Sequence, residues 1–251
     1  MNQVFERVSK ILIPIAGKLN NNRYLQVLRD AFMLAFPLTV FGSIAVVIAN
    51  LPFLDKVMSE GTLNTMRSIL NVAPSATMEV MTIFVVFGIG YYLSKSYDVE
   101  GVFGGAIALA SFFILTPFVL NVEGKEAVQG VIPLDRLGAK GMFLGMITAF
   151  VAAEIYRKVV QKNITIKMPA GVPPAVSKSF AALIPAVVTL TVFLVINTIV
   201  TQLFKTNMHD VIYNAVQAPL VGLGSGIIPT LIAIFVTQIL WFFGLHGQII
   251  I

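Results

Sequence analysis

Near the end of the sequence one imidazole stands in very apolar surroundings. His246 lies in LWFFGLHGQIII, between Gly244 and Gly247, with Trp241 on its N-terminal side. A histidine at membrane depth faces a polar cavity or the interior of a helical bundle. The two glycines permit non-helical backbone, which at that depth is tolerated only where protein buries it or it lines a cavity. An imidazole donates and accepts hydrogen bonds, and an indole offers a flat apolar face. That pair suits a sugar, which presents hydroxyls around its rings and C–H groups on its faces. His246 and Trp241 are therefore the candidate substrate-binding residues. A histidine satisfied inside the protein is the competing reading of His246.

Other chemistry is sparse. Glu154 is an acid inside an otherwise apolar stretch, followed at helical spacing by Arg157 and Lys158. Two readings fit it: an ion pair near a helix end, or an acid that couples transport to protons. His209, beside Asp210, is expected to be solvated or to cap a helix. The chain has no cysteine, so disulfide and thiolate chemistry are excluded. No metal-ligand spacing, nucleotide-binding glycine loop or nucleophile constellation appears. The expectation is no catalytic residue, no metal and no cofactor.

The elements that position these residues follow from composition. Hydrophobic residues make up 57% of the 251 and charged ones 12%, against about 25% charged in soluble domains. Too little polar surface is left to coat a water-soluble globule. Charge-free runs mark membrane spans, because a charge at the bilayer centre is costly. They predict six helices, at roughly 31–50, 78–94, 102–120, 141–160, 179–203 and 227–243. The fold class is thus an all-α polytopic membrane protein. The segment 1–20 has apolar residues at helical spacing and no uninterrupted apolar core, so it reads as an amphipathic helix and not a cleavable signal. It lies on the membrane surface or packs on the protein.

With the N-terminus inside, eleven Lys and Arg fall on the inner side and six on the outer. That bias places the N-terminus and the His246 segment in the cytoplasm. The charge of +5 reports basic inner loops, and nucleic acid is not an expected partner. The 121–141 loop, with Gly124 and Gly130, reads as an outer hairpin. The 167–180 stretch, with Pro169, Pro173 and Pro174, reads as a stiff, extended inner linker. The 208–220 segment lies at the interface or in the protein. Gly101, Gly105, Gly141, Gly145, Ala149 and Ala153 recur at fourfold spacing, which lets helices approach closely, within one protomer or across a dimer.

Two stretches carry a family resemblance: NNRYLQVLRDAFMLAFPLTVFGSI (21–44) and IKMPAGVPPAVSKSFAALIPA (166–186). They resemble the membrane component, IIC, of bacterial phosphotransferase systems, in the lactose, cellobiose and diacetylchitobiose branch. GLHG (244–247) also matches that family's pattern. The resemblance implies a sugar permease in the bacterial plasma membrane that takes up a β-linked disaccharide. A separate IIB protein, charged by IIA, would phosphorylate the sugar from a phosphocysteine. This cysteine-free chain cannot be that carrier, so vectorial phosphorylation would need both partners. The resemblance also implies a homodimer, with residues 1–205 as surface helix and five-span dimerisation domain. Residues 206–251 would open the sugar-binding domain, with His246 on a sugar hydroxyl and Trp241 lining the site.

Members of that family continue well beyond the point where this sequence stops, so the expectation is a truncated IIC or one whose remainder comes from another polypeptide. A non-transporting dimerisation scaffold is the alternative. A proton-coupled carrier using Glu154 is a third reading.

Overall fold

Asn22 starts the first long helix. Its side chain accepts hydrogen bonds from the backbone N–H groups of Tyr24 and Leu25, at 3.0 and 3.3 Å, and so satisfies donors that the first turn leaves open. This helix, α1 (Arg23–Ala49), is followed by short α2 (Leu54–Val57), α3 (Glu60–Leu70) and α4 (Val72–Thr77). Then come α5 (Met81–Lys95), α6 (Gly101–Leu115), α7 (Met142–Gln161), α8 (Pro174–Phe204) and the short α9 (Met208–Ile212). The computed structural model describes residues 21–120, 126–217 and isolated positions between 226 and 238. The expected helix at 1–20 lies outside the described residues. The span expected at 227–243 does too, apart from a few positions, which are helical.

Among the described residues, three helical stretches are long and apolar enough to cross a membrane: Arg23–Ala49, Glu60–Lys95 and Pro174–Phe204. The other two expected spans also contain helices. The 15 residues of α6 extend about 22 Å, less than the roughly 30 Å of a bilayer core. Helix α7 is long enough but carries Glu154, Arg157 and Lys158 toward its end.

Helix α1 begins at Arg23, well before the expected 31, and two further boundaries differ from the sequence reading, each for a local reason. Helix α6 stops at Leu115 and not near 120, because Thr116 precedes Pro117 and is driven to an extended conformation, φ −92 and ψ 126. Helix α8 starts at Pro174, so Ser177 and Lys178 belong to its first turns and not to the linker. A proline at the first helical position loses only a donor that would be unpaired anyway. The linker thus ends at Pro173, and it is not extended throughout, since it turns at Ala170–Gly171, where Gly171 has φ 99.

The hairpin expectation is met in its pairing. Strand β1 (Val119–Leu120) pairs antiparallel with β2 (Val128–Gln129), Val119 opposite Gln129. This ladder is the one departure from an all-α description among the described residues.

Helices α5, α6 and α7 form the centre, with α1 against α5, and α8 across α6 and α7. Val85, Val86, Ile89, Leu93, Phe112 and Ala149 are fully enclosed there. Small residues make the approach close. A Cβ on Gly90 would lie 2.5 Å from the Gly104 carbonyl oxygen and 2.6 Å from the Ala108 methyl. One on Gly145 would press on Thr82 and Val86, and one on Gly105 on Phe87. The fourfold small-residue pattern therefore packs helices within the protomer. Helix α8 is peripheral: 22% of its apolar window is buried, and Leu194, Ile199 and Leu203 face outward.

Gly90→Val should force α5 and α6 apart, at a cost of at least the ~1–3 kcal/mol typical of overpacking. Gly61→Ala, where nothing lies within 4 Å, should be tolerated. Thermal stability and monodispersity in detergent check this, and equal behaviour of the two variants would contradict the packing described.

Candidate functional site

The predicted sugar contacts His246 and Trp241 lie outside the described residues, as do Gly244 and Gly247. The described residues bring polar side chains together at the two opposite ends of the bundle.

At the end where α1 begins and α7 ends, Glu154 is held from three sides. Arg157 donates to both carboxylate oxygens, Nε at 3.1 Å and Nη2 at 2.6 Å. The Tyr24 hydroxyl donates to Oε1 at 3.2 Å, and Lys158 approaches to 3.8 Å. The helix supplies this geometry, since residues three and four apart share a face. The Arg157 guanidinium also stacks on Tyr97, 3.8 Å from the ring centroid, and Arg23 stacks on the same ring at 3.9 Å. Tyr97 sits in the turn between α5 and α6, so this stack ties that turn to the start of α1 and the end of α7. Lys178 of α8 pairs with Glu100 at 2.8 Å. Glu154 is therefore an ion-paired helix-end acid in this arrangement, with cations and a hydroxyl on its oxygens.

At the other end, His209 overturns its sequence reading. It is neither solvated nor a cap, but 2% exposed, with its ring edge-on to Phe112 at 5.5 Å. Capping of α9 falls to Asn207, whose Oδ1 accepts from the Asp210 N–H at 3.0 Å. His209 is enclosed because it lies on the inner side of a helix whose Met208 and Ile212 pack against the core.

The tautomer follows from hydrogen counting. The single Thr116 hydroxyl hydrogen goes to the Phe112 carbonyl at 2.8 Å. Thr116 Oγ1 must then accept from His209 Nε2, 2.9 Å away. Nε2 carries the proton, and Nδ1 is a bare lone pair with no hydrogen-bond partner among the described residues. Burial first, and then the Arg136 charge, push the imidazole down from 6.5 to about 4, against the opposing pull of Asp210 and Asp135. His209 is neutral at physiological pH.

Asp210 is tied to the loop before α7. Arg136 Nη1 donates to its Oδ1 at 2.6 Å and to Asn207 Oδ1 at 3.4 Å. Asn207 Nδ2 donates to Asp210 Oδ2 at 2.7 Å. Burial would raise the carboxyl, but these bonds and the charges of Arg136 and Lys140 hold it below its ordinary value. The Arg136 loop is itself fixed to α5: the Thr82 N–H donates to the Leu137 carbonyl at 2.9 Å, and its hydroxyl to the Gly138 carbonyl at 2.7 Å.

Sequence reasoning missed this network. The Asn207-to-Asp210 spacing is a legible cap signal, but Arg136 lies far away in sequence and nothing local marks it as the partner.

The unfolded chain takes up a proton at His209 below pH 6.5, while the folded one resists until about 4. Stability should therefore fall as pH drops through that window, by about 3 kcal/mol in full. Unfolding midpoints between pH 7 and pH 4.5 should decline more steeply for the parent than for His209→Gln. Parallel curves would refute the assignment.

A family model described as phosphotransferase system, EIIC, matches residues 29–251. The chain is 74% identical over 248 residues to the oligo-beta-mannoside-specific EIIC component of Bacillus subtilis (strain 168), covering 99% of this chain and 56% of that protein. It is 37% identical over 262 residues to the cellobiose-specific EIIC component of Geobacillus stearothermophilus, covering 100% and 57%. Among solved structures it is similar to the transporter ChbC, the IIC component from an N,N'-diacetylchitobiose-specific phosphotransferase system. There the TM-score is 0.82 at 36% identity, over 97% of this chain and 58% of that one. The chain thus spans little more than half the length of these relatives.

Proposed function

We propose, because this chain belongs to the phosphotransferase system EIIC family, that it acts as the sugar-permease part of such a system for a β-linked disaccharide. The observation that carries the substrate class is the 74% identity to an oligo-beta-mannoside-specific EIIC component across nearly the whole chain. Relatives named for cellobiose and lichenan support the same linkage class. Mannobiose is the first sugar to try, followed by cellobiose and diacetylchitobiose.

In this reading the protein lies in the bacterial plasma membrane with its N-terminus in the cytoplasm. Residues 1–205 form the dimerisation domain and residues 206–251 open the sugar-binding part. His246 bonds a sugar hydroxyl and Trp241 covers an apolar ring face. A IIB protein, recharged by IIA, phosphorylates the arriving sugar. The driving force is then phosphoryl transfer, and Glu154, with its oxygens occupied by Arg157, Tyr24 and Lys158, is structural.

Labelled disaccharides binding to the purified chain provide the test. Saturable binding of a β-linked disaccharide should weaken about tenfold or more in His246→Ala, the loss of a hydrogen bond from a site built around it. No binding of any sugar by the parent would leave the non-transporting scaffold as the better description. For Glu154, collapse of the proton gradient should leave sugar uptake unchanged while phosphoryl donor is supplied. Uptake that stops with the gradient would restore the coupling acid.

A further inference from the structure

The chain makes a sharp turn where α8 ends. Lys205 has φ 50 and ψ 33, a left-handed conformation disfavoured for a residue with a Cβ. Helix α9 runs on into a π-helical turn at Tyr213–Gln217, and the combined stretch is still too short to persist by its own hydrogen bonds. Turn and helix both persist because side chains from elsewhere hold them.

Those side chains form two separate ties on adjacent residues. His209 reaches the end of α6, where it donates to Thr116 and lies against Phe112. Asp210 reaches the loop before α7, where Arg136 holds it at 2.6 Å. That loop is bonded in turn to α5 through Thr82. The space is closely fitted: a Cβ on Gly141 would meet the Arg136 carbonyl and come within 3.5 Å of the His209 ring. Met208 and Ile212 pack against the core on either side of the ties. Helix α9 is thereby joined to three helices that were complete before it in the chain. Everything from Tyr213 onward, including Trp241 and His246, leaves from this point.

We propose that Arg136 and His209 are positioning residues, forming a fixed mount that holds the start of the 206–251 segment on the five-helix bundle. The mount stays closed, with or without sugar. Moving α9 would strip the Arg136–Asp210 pair, break the His209–Thr116 bond and uncover Phe112, Met208 and Ile212 together. Neither residue touches sugar. The consequence for uptake rests on the permease reading above, whereas the mount itself does not.

The absence of cysteine makes the test direct, since an introduced thiol is the only one in this sequence and its label is read on the isolated chain. Met208→Cys places a half-buried reporter on α9 itself, where Met208 packs against the core, and Leu93→Cys places a control in the core, where Leu93 is fully buried. Both are labelled with a maleimide in native membranes. The Met208→Cys thiol should react slowly in the otherwise unchanged protein, and equally slowly with saturating cellobiose or mannobiose. Adding Arg136→Gln or Asp210→Asn should speed it about tenfold by local opening, with the Leu93→Cys rate unchanged. The exchanged pair Arg136→Asp with Asp210→Arg should return the rate to within about threefold of the parent.

Fast labelling in the parent, or no change on Arg136→Gln, would show that there is no mount. Acceleration by sugar would make it a gate, and acceleration at both reporters alike would make it part of general folding; either overturns the proposal. For uptake, Arg136→Gln should lower the maximal rate with KM changed less than about twofold. If the parent takes up no sugar while the labelling pattern holds, the permease reading falls and the mount stands.

Discussion

Gly90 and Gly104 let α5 and α6 meet at a separation that no Cβ would permit, and the rest of the bundle is assembled on that contact. Between helices in lipid there is little hydrophobic drive to associate, because lipid tails are as apolar as leucine. Close packing has to supply the attraction. The same device recurs outward from the centre. Gly145 admits α7 against Thr82 and Val86 of α5, and Gly88 admits α1, whose Ala31 lies against it. Each contact is between a small residue and a neighbouring backbone or methyl group, so each leaves little room for an alternative crossing.

Close apolar packing also sorts the charges. The core of α5, α6 and α7 has no space for a solvated ion, and the ion pairs gather at the helix ends. At one end, Tyr97 is held between Arg23 and Arg157, with Glu154 completing the group. At the other, Arg136 bonds Asp210 and Asn207, and Asn207 bonds Asp210. A buried charge is costly unless it is fully paired, and in both clusters the pairing comes from more than one element. The clusters therefore fix relations between helices that apolar contacts alone leave open to sliding.

Much of this was legible before any coordinates. The positions of the five long apolar helices follow from charge-free runs, because the cost of placing a charge in lipid is a property of the residue itself. The Glu154–Arg157 pair follows from helical spacing, and the packing role of the glycines from their fourfold repeat. The boundaries were less legible. Pro117 shortened α6 and Pro174 lengthened α8, each by a backbone preference that hydropathy does not register. His209 was misread for a different reason. Next to Asp210 and just after the polar Lys205–Asn207 stretch, its local sequence is that of a surface residue. Its burial depends on Phe112 and Thr116, at the end of another helix.

The sequence by itself thus determined where the long apolar helices lie, which small residues let them touch and which family the chain resembles, since each depends on residue type and short-range spacing. Only the tertiary structure decided that Arg136 pairs with Asp210, that Arg23 and Arg157 share one tyrosine, and that His209 is buried and neutral. These depend on which helix ends are neighbours in space. That order is set by how all the helices pack at once, and no single stretch of sequence contains it.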